Sequence, residues 1–339
     1  IESLCLVQAK PAGWRLCSCY EITRGFGMNA SSLKGKRCVV TGATSGIGYA
    51  TVEALLGLGA EVVFVGHDQG RTAKAAMAFA ASAGKAEAPP PRQEITDLSL
   101  MAEVADLASR LADSGKPIDA LVNCAGVYTA KRTLTDEGLE RQFAVNHLAP
   151  FLLTTKLLPA MGADARIATV SSGSHYYGWI RWNDPSLERH YFGLWAYEQS
   201  KLANVLFSYE LAQRLENGAL KAGSGEGKPT VFTIDPGLVN TDMGQKHARG
   251  LTRLFWSLRR RGGTSPAQPA SGIAALLSSP DAAGRTGLYW RDAIPLRSSR
   301  RSYDAAAACR LWELSEAMVE QALRGGRAVQ RSAQIARTY

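Results

Sequence analysis

Tyr197 and Lys201 stand four residues apart in AYEQSKLANVLFSYEL (196–211), where apolar residues recur at helical spacing, so both side chains leave one helical face. That spacing has a use in proton chemistry. An ordinary tyrosine titrates near pH 10, and a neighbouring ammonium favours its phenolate, bringing it toward the range where it can act as acid or base. Ser172 closes the apolar run ATVSS (168–172), where a hydroxyl at a strand end can donate a hydrogen bond to a substrate oxygen as charge develops on it. YxxxK alone occurs by chance in many helices; its meaning depends on the segments upstream of it.

Upstream lies a dinucleotide turn. The strand-like CVVT (38–41) runs into TGATSGIG (41–48) and then a helical pattern. Gly42 allows the tight turn, Gly46 lets backbone approach a pyrophosphate and Gly48 permits close helix packing, while the helix start offers N–H groups to phosphate. Gly42, Thr44, Ser45, Gly46, Ile47 and Gly48 are therefore the expected cofactor cradle. An acidic residue at the end of the second strand would hold the ribose 2′-OH of NAD; that place holds Gly66, with His67 next to meet a 2′-phosphate and Asp68 after it. The expectation is NADP, with NAD as the alternative.

From residue 36 onward β-branched runs alternate with helical patterns, which is the signature of βαβ units. Strands are expected near 37–41, 61–65, 92–95, 119–122, 166–171, 229–234 and 287–290. The expected fold is α/β: a doubly wound, parallel, seven-stranded Rossmann sheet with helices on both faces, its ligand beyond the carboxyl ends of the strands. One domain spans 36–322, between an N-terminal extension (1–35) and a basic C-terminal tail (323–339). The first 27 residues show neither helical nor strand periodicity and no secretory pattern, since Lys10, Pro11 and Arg15 interrupt them; Met28 would suit a start just ahead of the domain. Residues 222–228 and Pro89–Pro91 read as surface loops.

The motifs resemble those of the short-chain dehydrogenase/reductase family over residues 36 to about 322. TGATSGIG is similar to its cofactor turn, TDLS to its adenine-contacting segment at Asp97, and NCAG to its fourth-strand motif at Asn123, Ala125 and Gly126. VNHLAPFLLT supplies Asn146, which the resemblance implies as a fourth catalytic residue beside Ser172, Tyr197 and Lys201. DPGLVNTDM implies a nicotinamide contact through Pro236, Gly237, Val239 and Thr241. VSSGSHYYG, with Tyr197 following Ser172 by 25 residues, resembles the retinol dehydrogenase and polyprenal reductase group. That implies an NAD(P)-dependent oxidoreductase of lipid metabolism acting on retinoid-, polyprenal- or steroid-like alcohols, aldehydes or ketones. Cys124, where the family more often has asparagine, and His67, where the group often has arginine, depart from the pattern.

The remaining features bear on partners. Residues 241–339 hold 16 basic and 7 acidic side chains, whereas the first 240 residues are balanced at 23 each, so the net charge of +9 lies in the last third. Arginines there suit an anionic membrane surface or an acidic protein, or simply form a solvated face. In RGLTRLFWSLRRRGG (249–263), Leu251, Leu254, Phe255 and Leu258 share a helical face bordered by Arg253 and Arg259–Arg261, as in an interfacial helix or in one packed on its own core. His175, Tyr176, Tyr177 and Trp179 are candidates to line a substrate pocket, or to pack. Nucleic acid is not expected, because no recognition motif interleaves the arginines. Six cysteines without a CxxC pair, Cys17 and Cys19 included, point to a reducing compartment and no metal. A competing reading is an accessory Rossmann-fold subunit of a larger, membrane-associated assembly that keeps its cofactor but turns over little; an intact Tyr197, Lys201, Ser172 and Asn146 set argues against it.

Overall fold

The computed structural model describes residues 4–10, 13–18, 32–223, 225, 227–240 and 263–336, with side chains described between residues 32 and 325 of that set. Strands β1 (Leu4–Lys10) and β2 (Gly13–Ser18) pair antiparallel as a separate two-stranded sheet. This corrects the expectation of a patternless extension. The register shifts between Leu6 and Ala9, so the strand loses the alternation that would have revealed it.

The β-branched runs of the domain become β3 (Arg37–Thr41), β4 (Glu61–Gly66), β5 (Arg92–Ile95), β6 (Ile118–Asn123), β7 (Met161–Val170), β8 (Thr230–Ile234) and β9 (Leu288–Arg291). They lie parallel in the order β5-β4-β3-β6-β7-β8-β9, reversing direction of growth between β3 and β6. All seven strands fall where the sequence places them. An eighth, β10 (Ile294–Leu296), pairs antiparallel with β9 at the edge, so the sheet has eight strands rather than seven. Its two-residue turn, Asp292-Ala293, has positive φ at both positions, the hairpin geometry that matches strand twist. Pro295 hides this strand from a pattern search, and an edge is where a strand tolerates proline.

Strand side chains alternate between two apolar layers, because successive residues face opposite sides of a sheet. Val39, Val63, Leu121, Ile167 and Val231 pack against one layer of helices, whereas Cys38, Val40, Phe64, Val122 and Phe232 pack against the other. The first layer holds α3 (Met101–Ala112), α4, α5 (Gly193–Glu216) and α7 (Ala305–Ala336); α4 is helical at Arg141–Phe143 and Ala149–Leu157 with a π-turn, Ala144–Leu148, between them. The second holds α1 (Gly46–Gly57), α2 (Gln69–Lys85) and α6 (Ala267–Ser278). Helix α7 runs through residue 323 without a break. Among the described residues no helix is long and apolar enough to cross a membrane.

Candidate active site

The glycine turn joins β3 to α1 beside the point where the sheet reverses. Gly42 has φ of 68°, and a Cβ there would sit 2.6 Å from the Ala125 Cα, so the turn lies directly on the end of β6. At Gly48 a Cβ would meet the Gly42 carbonyl oxygen at 2.4 Å, so α1 starts against the turn itself. Ser45 precedes the helix in extended conformation and its side chain makes no capping bond, leaving the first N–H groups of α1 available to an anion. A cleft of about 600 Å³ opens over this turn and takes in Gly42, Thr44, Ser45, Gly46, Ile47 and Gly48. His67, Asp97, Ala125 and Gly126 line it farther along, and Tyr197, Lys201 and Pro236 close its other end. The residues present fit a dinucleotide.

At the adenosine end, Gly66 is glycine for a packing reason. A Cβ there would lie 2.1 Å from the Thr72 hydroxyl of α2, itself held by the Asp68 carbonyl at 2.6 Å. Asp68 is not in the lining of the cleft and caps α2 by accepting the Arg71 N–H at 2.8 Å. His67 Nδ1 lies 3.8 Å from an Asp97 oxygen. The sequence reading missed Arg71, which lines the same cleft on the first turn of α2. Its signal was the capping pattern: a cation three residues after an N-cap aspartate at a strand end is carried back toward the ligand side.

The candidate catalytic pair, Tyr197 and Lys201, is held on α5, which is buried over most of its length. Lys201 is buried, donates from Nζ to the Val170 carbonyl at 3.1 Å and stands 5.6 Å from the centroid of the Tyr197 ring. Burial pulls its ammonium down to about 8, against the opposing pull of the Cys124 thiol. The Tyr197 ring meets that of Tyr128 edge-on, with centroids 6.1 Å apart. The two serines of β7 divide their tasks. Ser171 is buried and its hydroxyl is spent on the Lys201 carbonyl at 2.8 Å, whereas the Ser172 oxygen accepts the Ser174 N–H at 3.2 Å and keeps its own proton to donate.

Other expected residues reach the site indirectly. Asn146 is fully buried in the π-turn, where π-bulges often mark functional positions. It clamps Val127 by accepting its N–H at 2.7 Å and donating to its carbonyl at 3.1 Å. It also donates to the Ser200 hydroxyl, which in turn donates to the Tyr197 carbonyl. Asn123 does not line the cleft; its amide nitrogen donates to Thr154 and Thr169 inside the domain, because a strand residue one place earlier than Cys124 faces the opposite side. Val239 is bridged to Thr264, whose N–H bonds the Leu238 carbonyl and whose own carbonyl takes the Asn240 N–H. Gly237 lines a neighbouring cleft instead. Thr241 and the amphipathic stretch 249–263, Gly263 apart, lie outside the described residues.

His175, a candidate pocket residue, is instead fully buried behind Ser172. Its Nε2 accepts the Ser299 N–H at 3.0 Å, so the neutral ring carries its proton on Nδ1 and donates it to the Ser172 carbonyl at 2.8 Å. Burial holds this imidazole below the usual range, in keeping with the neutral form. His175→Leu leaves the Ser299 N–H unpaired and the Ser172 carbonyl with only the backbone N–H of residue 175, and is expected to cost roughly 1–3 kcal/mol in urea unfolding. His175→Asn can restore the donor to Ser172 and is expected to recover part of that loss; equal stability of all three proteins would refute the brace.

The neighbouring cleft, about 570 Å³, is lined by Gly173, Ser174, Glu198 and Gly237 among others. Its lining alternates along the chain with that of the dinucleotide cleft: Ser171 with Gly173, Tyr197 with Glu198, Pro236 with Gly237. The two clefts are thus lined by chain neighbours on three segments, and Ser172, between Ser171 and Gly173, is in the lining of neither. Tyr177 lines the second cleft, while Tyr176 bonds the Arg297 carbonyl and Trp179 lies beneath the Arg301 guanidinium.

A dinucleotide cleft at the switch point of a doubly wound sheet, closed by a tyrosine and a buried lysine, defines a nicotinamide-dependent oxidoreductase architecture. Comparison with known proteins gives the same class. Residues 36–251 match the short chain dehydrogenase family, and the chain belongs to that family. It is 36% identical over 304 residues to Retinol dehydrogenase 14 of Mus musculus, covering 85% of this chain and 86% of the relative. Polyprenol dehydrogenase of Mus musculus is 34% identical over 293 residues, with 82% of each chain covered. Among solved structures, an uncharacterized protein from Mycobacterium paratuberculosis superposes with a TM-score of 0.63 at 28% identity, covering 86% of this chain and 95% of its own.

Proposed function

We propose that this oxidoreductase uses NADP to move a hydride between nicotinamide and the carbonyl or alcohol carbon of a lipophilic substrate. The observation that carries the reading is the buried Lys201 beside Tyr197, both in the lining of the cleft that opens over the glycine turn. Relatives named for retinol and polyprenol support a long apolar substrate. Exposed Tyr177 and Leu238 in the lining of the second cleft support it too. NADP is favoured by Gly66, which offers no carboxylate to repel a 2′-phosphate, and by Arg71 and His67 at that end of the cleft. Reduction of retinal, a polyprenal and a steroid ketone, tracked by NADPH consumption, tests the reading; tight NADPH binding with no turnover of any would favour the accessory-subunit alternative.

In this scheme the glycine turn and the start of α1 hold the phosphates. The nicotinamide, when bound, supplies or accepts the hydride. Tyr197 gives a proton to the substrate oxygen in reduction and takes it in oxidation, and the Lys201 ammonium stabilises the negative charge left on the phenol oxygen. Ser172 donates to the same substrate oxygen as charge builds on it. Asn146 acts through structure, holding Val127 and the Ser200–Tyr197 turn of α5 in place.

This assignment has a pH signature. Lys201 titrates at about 8 rather than 10.5, so its charge is present below that pH and is lost as pH rises through it. The kcat/KM for carbonyl reduction is therefore expected to decline above about pH 8, as an apparent value belonging to the Tyr197–Lys201 pair. A rate profile that stays flat to about pH 10 would remove the lysine charge from the mechanism.

A further inference from the structure

The second cleft is not uniformly apolar. Leu194, Leu238 and the Tyr177 ring share its wall with Arg291 and Glu198. Arg291 ends β9 and gives one amino group to Asp235 at 2.5 Å, while its side chain stays 44% exposed. A guanidinium has five N–H donors, and only one is committed in that contact. Asp235, also in the cleft lining, is buried: one oxygen takes Arg291 and the other takes the Gly237 N–H at 2.9 Å. It cancels the charge of Arg291 without occupying the remaining donors. Glu198, in the same lining, follows Tyr197 on α5, and its side chain makes no hydrogen bond among the described residues; burial raises its carboxyl, with Arg181 opposing.

Three substrate tails can be compared at such a wall. A hydrocarbon would cover the Arg291 donors and the Glu198 carboxyl without pairing them, which costs free energy for each group left unsatisfied. A carboxylate would find Arg291 already neutralised by Asp235 and a second carboxyl, Glu198, in the same lining. A hydroxyl can accept from Arg291 and donate to Glu198. Resting on the oxidoreductase reading above, we propose that Arg291 and Glu198 form a specificity subsite for an uncharged oxygen, a hydroxyl in the first instance, on an otherwise apolar carbonyl substrate. The preferred substrate is thus amphipathic, with a polar group remote from the reacting carbon.

The test compares decanal with its monohydroxy isomers, the hydroxyl at successive carbons, and with the terminal carboxy derivative. In the wild-type protein one hydroxy isomer is expected to exceed decanal in kcat/KM by roughly tenfold or more, the worth of a hydrogen bond to a charged group. In Arg291→Leu that ratio is expected to fall toward one. Because the ratio is taken within each protein, any general effect of the variant on the Gly237 turn cancels; if Arg291→Leu does not fold, Glu198→Leu reads the same ratio. Equal use of all aldehydes, preference for the carboxy compound, or an advantage that survives the substitution would overturn the subsite. If no aldehyde is turned over, calorimetric binding of decanol against the matching diols decides separately. A diol preference there leaves the subsite standing and removes the enzyme reading, whereas no preference removes the subsite.

Discussion

Tyr197→Phe is expected to lower kcat for carbonyl reduction between roughly a hundredfold and ten-thousandfold, the range for removing a positioned acid or base. NADPH affinity, read by fluorescence titration, should stay within a few-fold. The substitution is informative because it removes one oxygen and keeps the ring, which is buried and packed edge-on against Tyr128, so the site should hold its shape. Lys201 would then remain buried, still donating to the Val170 carbonyl, with no phenol to act on. Single-turnover measurement with bound NADPH separates this loss from a change in product release. Equal rates in the wild-type protein and the variant would end the assignment of Tyr197 as the proton donor, and with it the proposed mechanism.

The catalytic helix and the glycine turn were legible in the sequence because their chemistry is local. Tyr197 and Lys201 share a helical face by spacing alone, and Gly42, Gly46 and Gly48 sit within one turn, so no long-range contact had to be guessed. The interior strands β3, β4 and β8 were equally plain, since residues buried on both faces of a parallel sheet read as β-branched runs. What escaped was whatever depends on packing between distant segments. His175 looked like a pocket aromatic, yet Ser299, which lies 124 residues away, gives its N–H to the ring and turns it inward. Asn123 looked like a ligand residue, but the pleat points its amide at Thr154. Asp68 looked like a possible ligand residue, whereas its side chain accepts the Arg71 N–H and caps α2. The edge strand β10 is three residues long and contains a proline, so nothing in its own pattern distinguishes it from loop.

Arg71→Ala is expected to weaken NADPH binding by about 10- to 100-fold and to leave NADH binding nearly unchanged, the cost of a charge-assisted hydrogen bond to phosphate of roughly 1.5–3 kcal/mol. The residue is well suited to the test. Its side chain is exposed on the cleft wall, and its N–H stays bound to Asp68 whatever the side chain is, so α2 keeps its cap and the protein its fold. His67→Ala should cost less, because an imidazole donates a single hydrogen bond and here stands near the Asp97 carboxylate, which competes for it. Installing an acid at Gly66 is the less useful experiment: a Cβ there collides with Thr72, so lost NADPH binding could come from a displaced α2 rather than from charge. Titrations of both cofactors belong at one ionic strength, since an exposed arginine is screened by salt. An equal loss for the two dinucleotides would assign Arg71 to their shared portion, and a wild-type preference for NADH would overturn the NADP proposal outright.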